Sequence, residues 1–474
     1  MARAPGSTLR TATAVGIVLT GVLALSAAGG VGWLAASAAP LELSVDVDAA
    51  AEESQSALRP VASQMPPALR LPTCSLDAFA RDPALASFSG TVYDPLGGTI
   101  LFDRSRDVAV APASVMKIIT AAAALTVLGP EATLQTVVRG TDNPNTVALV
   151  AGGDPTLRAV EGSNTVYVGA PSMSELARQT IDALSKNLAE GEKLEITALV
   201  VDQSLWDAKD SWDPSWAERA RSQGFVSRVG PLQVDGDRRN PATAESPRGN
   251  DPARTAADAF VRALREAGNT SGGVSVTFGE SDPAAPVLAT VTSRPISELV
   301  GYMLKESDNT LAEMLARHVS LAGGFGGASN TLGAAMVAAL TLYGVPPEGL
   351  VIQDGSGLSQ LNRVTPSYIA ELLVEVYQSQ GDLGGLVHGL PIAGVDGSLE
   401  DRFVGANAVA QGLVFAKTGS IQGTRSLAGI VDASDGASLA FAFFASGDVG
   451  DDTRRALDAL ATAVAGCGSN LADF

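Results

Sequence analysis

The chain has 474 residues, of which 46% are hydrophobic and only 18% charged, enough apolar material for a large core and more than one domain, and global disorder is excluded. Its formal net charge of -19 is spread along the chain with no cluster of Lys and Arg. That excludes a nucleic-acid partner, because phosphate binding needs clustered cations.

In chain order, Arg3 and Arg10 precede a stretch from Thr11 to Leu41 without a charged side chain. A basic start followed by an apolar run is the pattern of an export signal, and Ala36-Ser37-Ala38 offers a small-residue cleavage site. The run is also long enough to span a bilayer uncleaved. Residues 1–41 therefore read as a signal peptide or a signal anchor, and membrane contact is expected only through them. The working location is outside the cytoplasm, in the cell envelope. Residues 42–70, rich in Ala, Ser, Pro and acids without periodicity, read as a linker.

Cys74 and Cys467 are the only cysteines. In an exported chain they invite a disulfide, which needs the two ends of the folded part to meet; a pair of buried thiols is the alternative. Only His318 and His388 could supply imidazoles, and neither belongs to a Cys/His cluster, so no metal site and no cofactor is expected.

Ser87 to Tyr93, the turn Asp94 to Gly98, and Thr99 to Phe102 predict a β-hairpin. A helix follows, with Pro112 where it starts, Lys117 to Leu128 as its body and Gly129-Pro130 as its stop. Between 131 and 286 the pattern changes to short β runs (Leu134 to Val138, Thr146 to Val150, Leu194 to Asp202), a helix from Ser172 to Glu190 and loops rich in Asp, Pro and Gly. This region reads as an insertion. Apolar residues at helical spacing then flank Ser307-Asp308-Asn309 on both sides. Leu413 to Thr418, Ser426 to Val431 and Ser438 to Ala445 predict three strands, and Asp452 to Ala465 a last helix. Two strands from the start can join three from the end in one antiparallel five-stranded sheet, which gives an α+β fold with residues 71–130 and 287–474 as one split domain around the insertion.

Three short patterns carry chemistry. Ser114-Val115-Met116-Lys117 opens the first helix, and a spacing of three puts hydroxyl and ammonium on one face, as a nucleophile and its base require. Unpaired amides at the helix start can also bind a developing oxyanion. A capping Ser followed by a surface Lys is the bland alternative, but lysine is rare here, six against twenty-six arginines, and this is the only Ser-x-x-Lys in the chain. Ser307-Asp308-Asn309 sits at a helix break and fits Ser-x-Asn; Ser185-Lys186-Asn187 fits too, but on the polar side of a surface-type helix. Lys417-Thr418-Gly419-Ser420 ends a β run, where a strand edge can hold an extended peptide, a cation a terminal carboxylate, and Gly permits close approach.

In this order the three patterns are those of penicillin-binding proteins and class A β-lactamases. From about Leu71 onward the chain resembles the penicillin-recognising serine enzymes, and among them the low-molecular-mass (class C) D-alanyl-D-alanine carboxypeptidase/endopeptidases of the S13 peptidase type. Gly152-Gly153-Asp154-Pro155-Thr156-Leu157, Asp354-Gly355-Ser356-Gly357-Leu358-Ser359 and Ala393-Gly394-Val395-Asp396-Gly397-Ser398-Leu399 look like further signatures of that family. So does the long gap between Ser114 and Ser307, which implies the serine β-lactamase/DD-peptidase fold with inserted domains. The resemblance implies that Ser114 attacks the penultimate D-Ala carbonyl, Lys117 takes its proton, Ser307 relays a proton to the leaving D-Ala and Asn309 orients the substrate amide. It also implies that Lys417 and Thr418 bind the terminal carboxylate beside Gly419, and that the N–H groups of Ser114 and Ser420 form the oxyanion hole. Peptidoglycan stem peptides and β-lactam inhibitors are the implied partners. Asp154 is expected near the pocket for the free amine of a diaminopimelate side chain, a simple Gly-Asp-Pro turn being the alternative; Gln360 departs from the family, which often has an Arg there.

Two rival readings share the fold. A class A β-lactamase would carry a Glu-x-x-x-Asn pattern after the Ser-Asp-Asn turn, and none follows Ser307. A non-catalytic wall-binding scaffold usually loses a motif residue, and none is lost. A Ser-His-Asp hydrolase is set aside because neither histidine accompanies a Gly-x-Ser-x-Gly elbow.

Overall fold

The computed structural model describes residues 74–186, 188–379 and 383–472. The expected export or anchor segment (1–41), the linker (42–70), residues 71–73 and Asn187 lie outside them.

Following the chain, β1 (Ser87–Asp94) and β2 (Thr99–Arg104) form the expected hairpin, and a single 3-10 turn at Ala113–Val115 leads into α1 (Met116–Leu128). A second group follows: β3 (Gln135–Gly140), β4 (Thr146–Val150), α2 (Met173–Ser185), β5 (Ala198–Asp202), α3 (Pro252–Glu266), β6 (Ser275–Phe278) and β7 (Val287–Thr292). Next come α4 (Ile296–Glu306), α5 (Asn309–Ala322), α6 (Leu332–Leu340) and α7 (Pro366–Gln378), then β8 (Val414–Ile421), β9 (Thr424–Asp432), β10 (Ser438–Ser446) and α8 (Asp451–Cys467).

The first sheet has the order β2-β1-β10-β9-β8 and every pair in it is antiparallel. The α+β arrangement of two early and three late strands is thus the one expected. Strand alternation explains how one sheet serves two cores. Along β10, Leu439, Phe441, Phe443 and Ala445 pack toward Leu457, Leu460 and Val464 of α8. Ala440, Ala442 and Phe444 face the opposite cluster, which holds α1, α4, α5 and α7. Burying one Phe such as Phe443 stabilises the fold by roughly 1.5–3 kcal/mol. Helix α1 is buried all round from Met116 to Leu125, as an apolar helix without a polar face must be.

The second sheet has the order β6-β5-β4-β3-β7, with β4, β5 and β6 mutually parallel and β3 antiparallel to both neighbours. Helices α2 and α3 cover its apolar face, where Val147, Leu149, Leu199 and Val201 meet Leu176, Ile181, Phe260 and Leu264. Both helices are capped at the start, α2 by Ser172, which accepts from the Glu175 N–H, and α3 by Asp251 ahead of Pro252. The insertion boundary expected at 286 needs correction, because β7 begins at Val287 and pairs with β3. Pro286 sits just outside the ladder and offers only its carbonyl, to the Gly140 N–H at 2.9 Å; a proline at that point opens an edge strand and does not end the region.

Cys74 and Cys467, the last residue of α8, form a disulfide with a Cα–Cα distance of 5.6 Å. The backbone joins there too: the Cys74 N–H donates to the Asn470 carbonyl and the Ala472 N–H to the Cys74 carbonyl. Among the described residues no helix is long and apolar enough to cross a membrane.

Candidate active site

Ser114 lies in the 3-10 turn, one step ahead of the regular helix in which it was expected. The turn is held by its neighbours. Ala113 has a positive φ of 50°, the Pro112 carbonyl accepts from the Ser426 hydroxyl of β9 at 2.7 Å, and two glycines press against it. A Cβ on Gly357 would collide with the Ala113 carbonyl, and one on Gly419 with the Ser426 hydroxyl and the Pro112 carbonyl. Only glycine lets β8 and the 354–359 loop come this close.

One turn further, Lys117 is fully buried. Its Nζ donates to Ser114 Oγ at 3.1 Å, Asn309 Oδ1 at 2.6 Å and the Ser356 carbonyl at 2.7 Å. Three acceptors match the three hydrogens of an ammonium. Burial lowers its pKa to about 8, against the opposing pull of the Asp354, Glu313 and Asp308 carboxylates. Ser356 is fixed from behind, since the Ser356 and Gly355 N–H groups donate to Glu313 and Asp354 accepts from Trp216, Asn362, Gly357 and Ser359. Burial and then mutual repulsion hold the Glu313 carboxyl up, and burial does the same for Asp354.

Ser307 ends α4 in the left-handed conformation, with φ 57° and ψ 36°, so the helical stretch breaks where the sequence predicts. Asp308 then caps α5 by accepting from the Leu311 N–H at 3.0 Å. Its other oxygen accepts from Tyr167 Oη at 2.7 Å and Arg238 Nη2 at 2.8 Å. Burial alone would raise the Asp308 pKa, but the Arg238 and Arg248 guanidiniums outweigh it and hold the carboxyl well below its usual range. Asn309 is clamped twice: its Oδ1 accepts from Lys117 and its Nδ2 donates to the Phe225 carbonyl at 3.0 Å.

On the facing side, β8 presents Lys417, Thr418 and Ser420. The Lys417 Nζ donates to the Thr418 carbonyl, and burial, then Lys117, push its pKa well down. Burial is also what lowers Lys117, and the two lysines share one buried neighbourhood in which like charges repel. Ser398, from the third further signature, shares a hydrogen bond with the Thr418 hydroxyl at 2.8 Å.

These parts open on one cleft of about 410 Å³, lined by Ser114, Ser307, Asn309, Thr418 and Ser420. Phe225, Arg238, Arg248, Tyr302, Glu306 and Arg454 line it as well, and sequence reasoning did not find them. For Arg238 a signal existed: Asp235, Gly236 and Asp237 all have positive φ, and an Asp-Gly-Asp run is the composition such a turn needs.

Asp154 is not among the residues that line this cleft. It is buried and its Oδ1 accepts from the Thr156 N–H and hydroxyl at 2.8 and 2.6 Å, the turn that was the alternative reading. Burial raises its pKa to about 6, partly offset by the Thr156 hydrogen bonds. Gln360 lies at the edge of a neighbouring hollow and donates to the Gln422 carbonyl. His318 packs on Trp206, and burial lowers its pKa to about 4. Neither it nor His388 lines the cleft.

The D-Ala-D-Ala carboxypeptidase 3 (S13) family model matches residues 73–250 and 238–464. The chain is 35% identical over 403 residues to carboxypeptidase DacB of Mycolicibacterium smegmatis, covering 83% of this chain and 84% of that protein. Its fold is similar to the crystal structure of penicillin-binding protein 4 (dacB) from Haemophilus influenzae, with a TM-score of 0.64, 22% identity and coverage of 80% and 94% of the two chains. The same protein complexed with a novel β-lactam gives a TM-score of 0.62 at 22% identity, covering 82% and 97%.

Proposed function

The chain belongs to the D-Ala-D-Ala carboxypeptidase (S13) family and is a serine-type D-Ala-D-Ala carboxypeptidase of the cell wall, and we propose that it works through an acyl-enzyme at Ser114. The observation that carries this is the bond from the buried Lys117 Nζ to Ser114 Oγ. When Lys117 loses one proton, two N–H bonds can remain on Asn309 and Ser356 while the lone pair points at the Ser114 hydroxyl. Lys117 then takes the hydroxyl proton as Oγ attacks the carbonyl of the penultimate D-Ala.

The Ser114 and Ser420 amides receive the developing oxyanion, Asn309 orients the substrate amide, and Ser307 passes a proton to the departing amine. Lys417 and Thr418 hold the terminal carboxylate beside Gly419. Water then releases the acyl-enzyme. The same steps cut a cross-linked stem peptide, so endopeptidase activity belongs to this reading, and β-lactams acylate Ser114. Residues 1–41 export the chain or anchor it in the membrane.

The test is to incubate the full-length chain with a muropeptide mixture and identify the products by mass. Loss of one terminal D-Ala from pentapeptides is expected, with separation of cross-linked dimers as the endopeptidase signature. An unchanged mixture overturns the reading. Slow release of bound benzylpenicillin fits the peptidase; rapid turnover of the drug would make the chain a β-lactamase.

A further inference from the structure

Beyond the strand edge, a second hollow of about 240 Å³ shares Thr418, Ser420 and Arg454 with the catalytic cleft. Arg402 and Arg425 line it too, so three guanidiniums converge beside the hydroxyls of β8. They are not equally free. Arg402 is committed to the buried Asp458 at 2.5 Å. Arg454, in the first turn of α8, pairs with Asp451 at 3.1 Å, and that carboxylate is 77% exposed; such a surface pair is weak and yields readily to a better partner.

Arg425 stands directly across from Ser420 in the β8–β9 register. Its Nη1 donates to the Ile421 and Thr424 carbonyls, and among the described residues its Nε has no partner. Burial and then Arg454 lower its pKa, against the opposing pull of the Asp451 carboxylate, so two like charges are kept close here. Lys417, the cation that sequence reasoning assigns to the substrate carboxylate, is fully buried and donates to the Thr418 carbonyl, and burial and then Lys117 push its pKa down. A guanidinium keeps its charge and presents a fork that matches a carboxylate.

We propose that Arg454, with Arg425 behind it, is the specificity determinant that selects a free carboxylate on the leaving residue, its guanidinium taking the carboxylate that the Thr418 and Ser420 hydroxyls orient. The proposal rests on the acyl-enzyme reading above, since it takes the leaving residue to lie along β8.

The experiment compares the full-length parent with Arg454→Gln and Arg454→Lys on two substrates, an acyl-D-Ala-D-Ala peptide and an acyl-D-Ala thioester whose leaving group has no carboxylate. The readout is the ratio of kcat/KM for acid to that for neutral substrate. It should fall about ten- to a hundredfold in Arg454→Gln, the range for a charge-assisted bond, and recover in part in Arg454→Lys. The parent's preference for the acid should also weaken with added salt. An unchanged ratio in Arg454→Gln overturns the proposal, whether the two rates fall together or stay as they were. If the parent cleaves neither substrate, the acyl-enzyme reading itself fails.

Discussion

The two five-stranded sheets treat the cleft differently. The antiparallel sheet is covered on both faces, by α8 on one side and by α1, α4, α5 and α7 on the other, and it delivers Lys417, Thr418 and Ser420 straight from a strand. The mixed sheet is covered by α2 and α3 on one apolar face and reaches the cleft only through loops, with Phe225, Arg238 and Arg248. The first region carries the proposed reacting groups on rigid elements. The second supplies the clamp on the Ser307–Asn309 turn, through the Arg238–Asp308 ion pair, the Tyr167 hydroxyl and the Phe225 carbonyl. A site of this kind divides chemistry from positioning between two parts of one chain.

The sharpest way to test that division is to strike the first region at its proposed nucleophile. Ser114→Ala should abolish covalent labelling by fluorescent penicillin and lower D-Ala release by a factor on the order of 10⁶, as loss of a nucleophile does elsewhere, with an unchanged melting temperature. Labelling of the Ala variant would move the nucleophile to another residue.

Striking the second region should look different. Arg238→Ala removes the ion-pair partner of the buried Asp308 and leaves Arg248 as the cation near it; breaking a buried pair costs up to about 3–5 kcal/mol, which urea unfolding would read directly. Acylation should slow as well, because Asp308 caps the helix that carries Asn309. If stability falls while the acylation rate holds in the folded fraction, the mixed sheet is a scaffold and not a clamp.

A milder probe is pH. Lys117 must be neutral to act as base, and with a pKa lowered to about 8 its neutral fraction grows about tenfold per pH unit below that value and levels above it. Stopped-flow acylation by a β-lactam should follow this rise along one apparent ionisation belonging to the coupled cluster. A flat profile from about pH 5 to 9 removes Lys117 from the role. The smallest effect is expected at Asp154, where Asp154→Asn keeps an oxygen for the Thr156 donors. The variant should discriminate between a peptide with a free side-chain amine and its acetylated form just as the parent does, and a changed preference would return Asp154 to the substrate.

The same contrast explains what could be read from the sequence. Ser114 and Lys117 lie one helical turn apart, Ser307 to Asn309 are contiguous, and Lys417 to Ser420 end a strand with clear alternation, so local pattern sufficed for the antiparallel sheet and for locating these three motifs, while the roles expected of them came from the family resemblance. The clamp was not legible, because Asp308 finds Tyr167 and Arg238 across 141 and 70 residues, and nothing local to either arginine announces its partner. Helix α3 went unread although Asp251-Pro252 is a strong start signal. Strand β7 went unread because Pro286 looked like a boundary. The three arginines beside β8 were invisible for a related reason: Arg402, Arg425 and Arg454 come from three separate elements and meet only in the folded chain.

The bridge between Cys74 and Cys467 also has a mechanical meaning. Tension applied between a point ahead of Cys74 and a point beyond Cys467 runs through one covalent link and the short backbone pairing beside it, bypassing a sequence separation of 393. Neither sheet carries that load. Such tension would not shear β8 from β9, so the distance between the Ser114 turn and the strand edge would hold under pull. Reduction of the bridge would transfer the same tension to β1 and α8, and single-molecule stretching with and without reductant would show it as the appearance of new unfolding steps at low force.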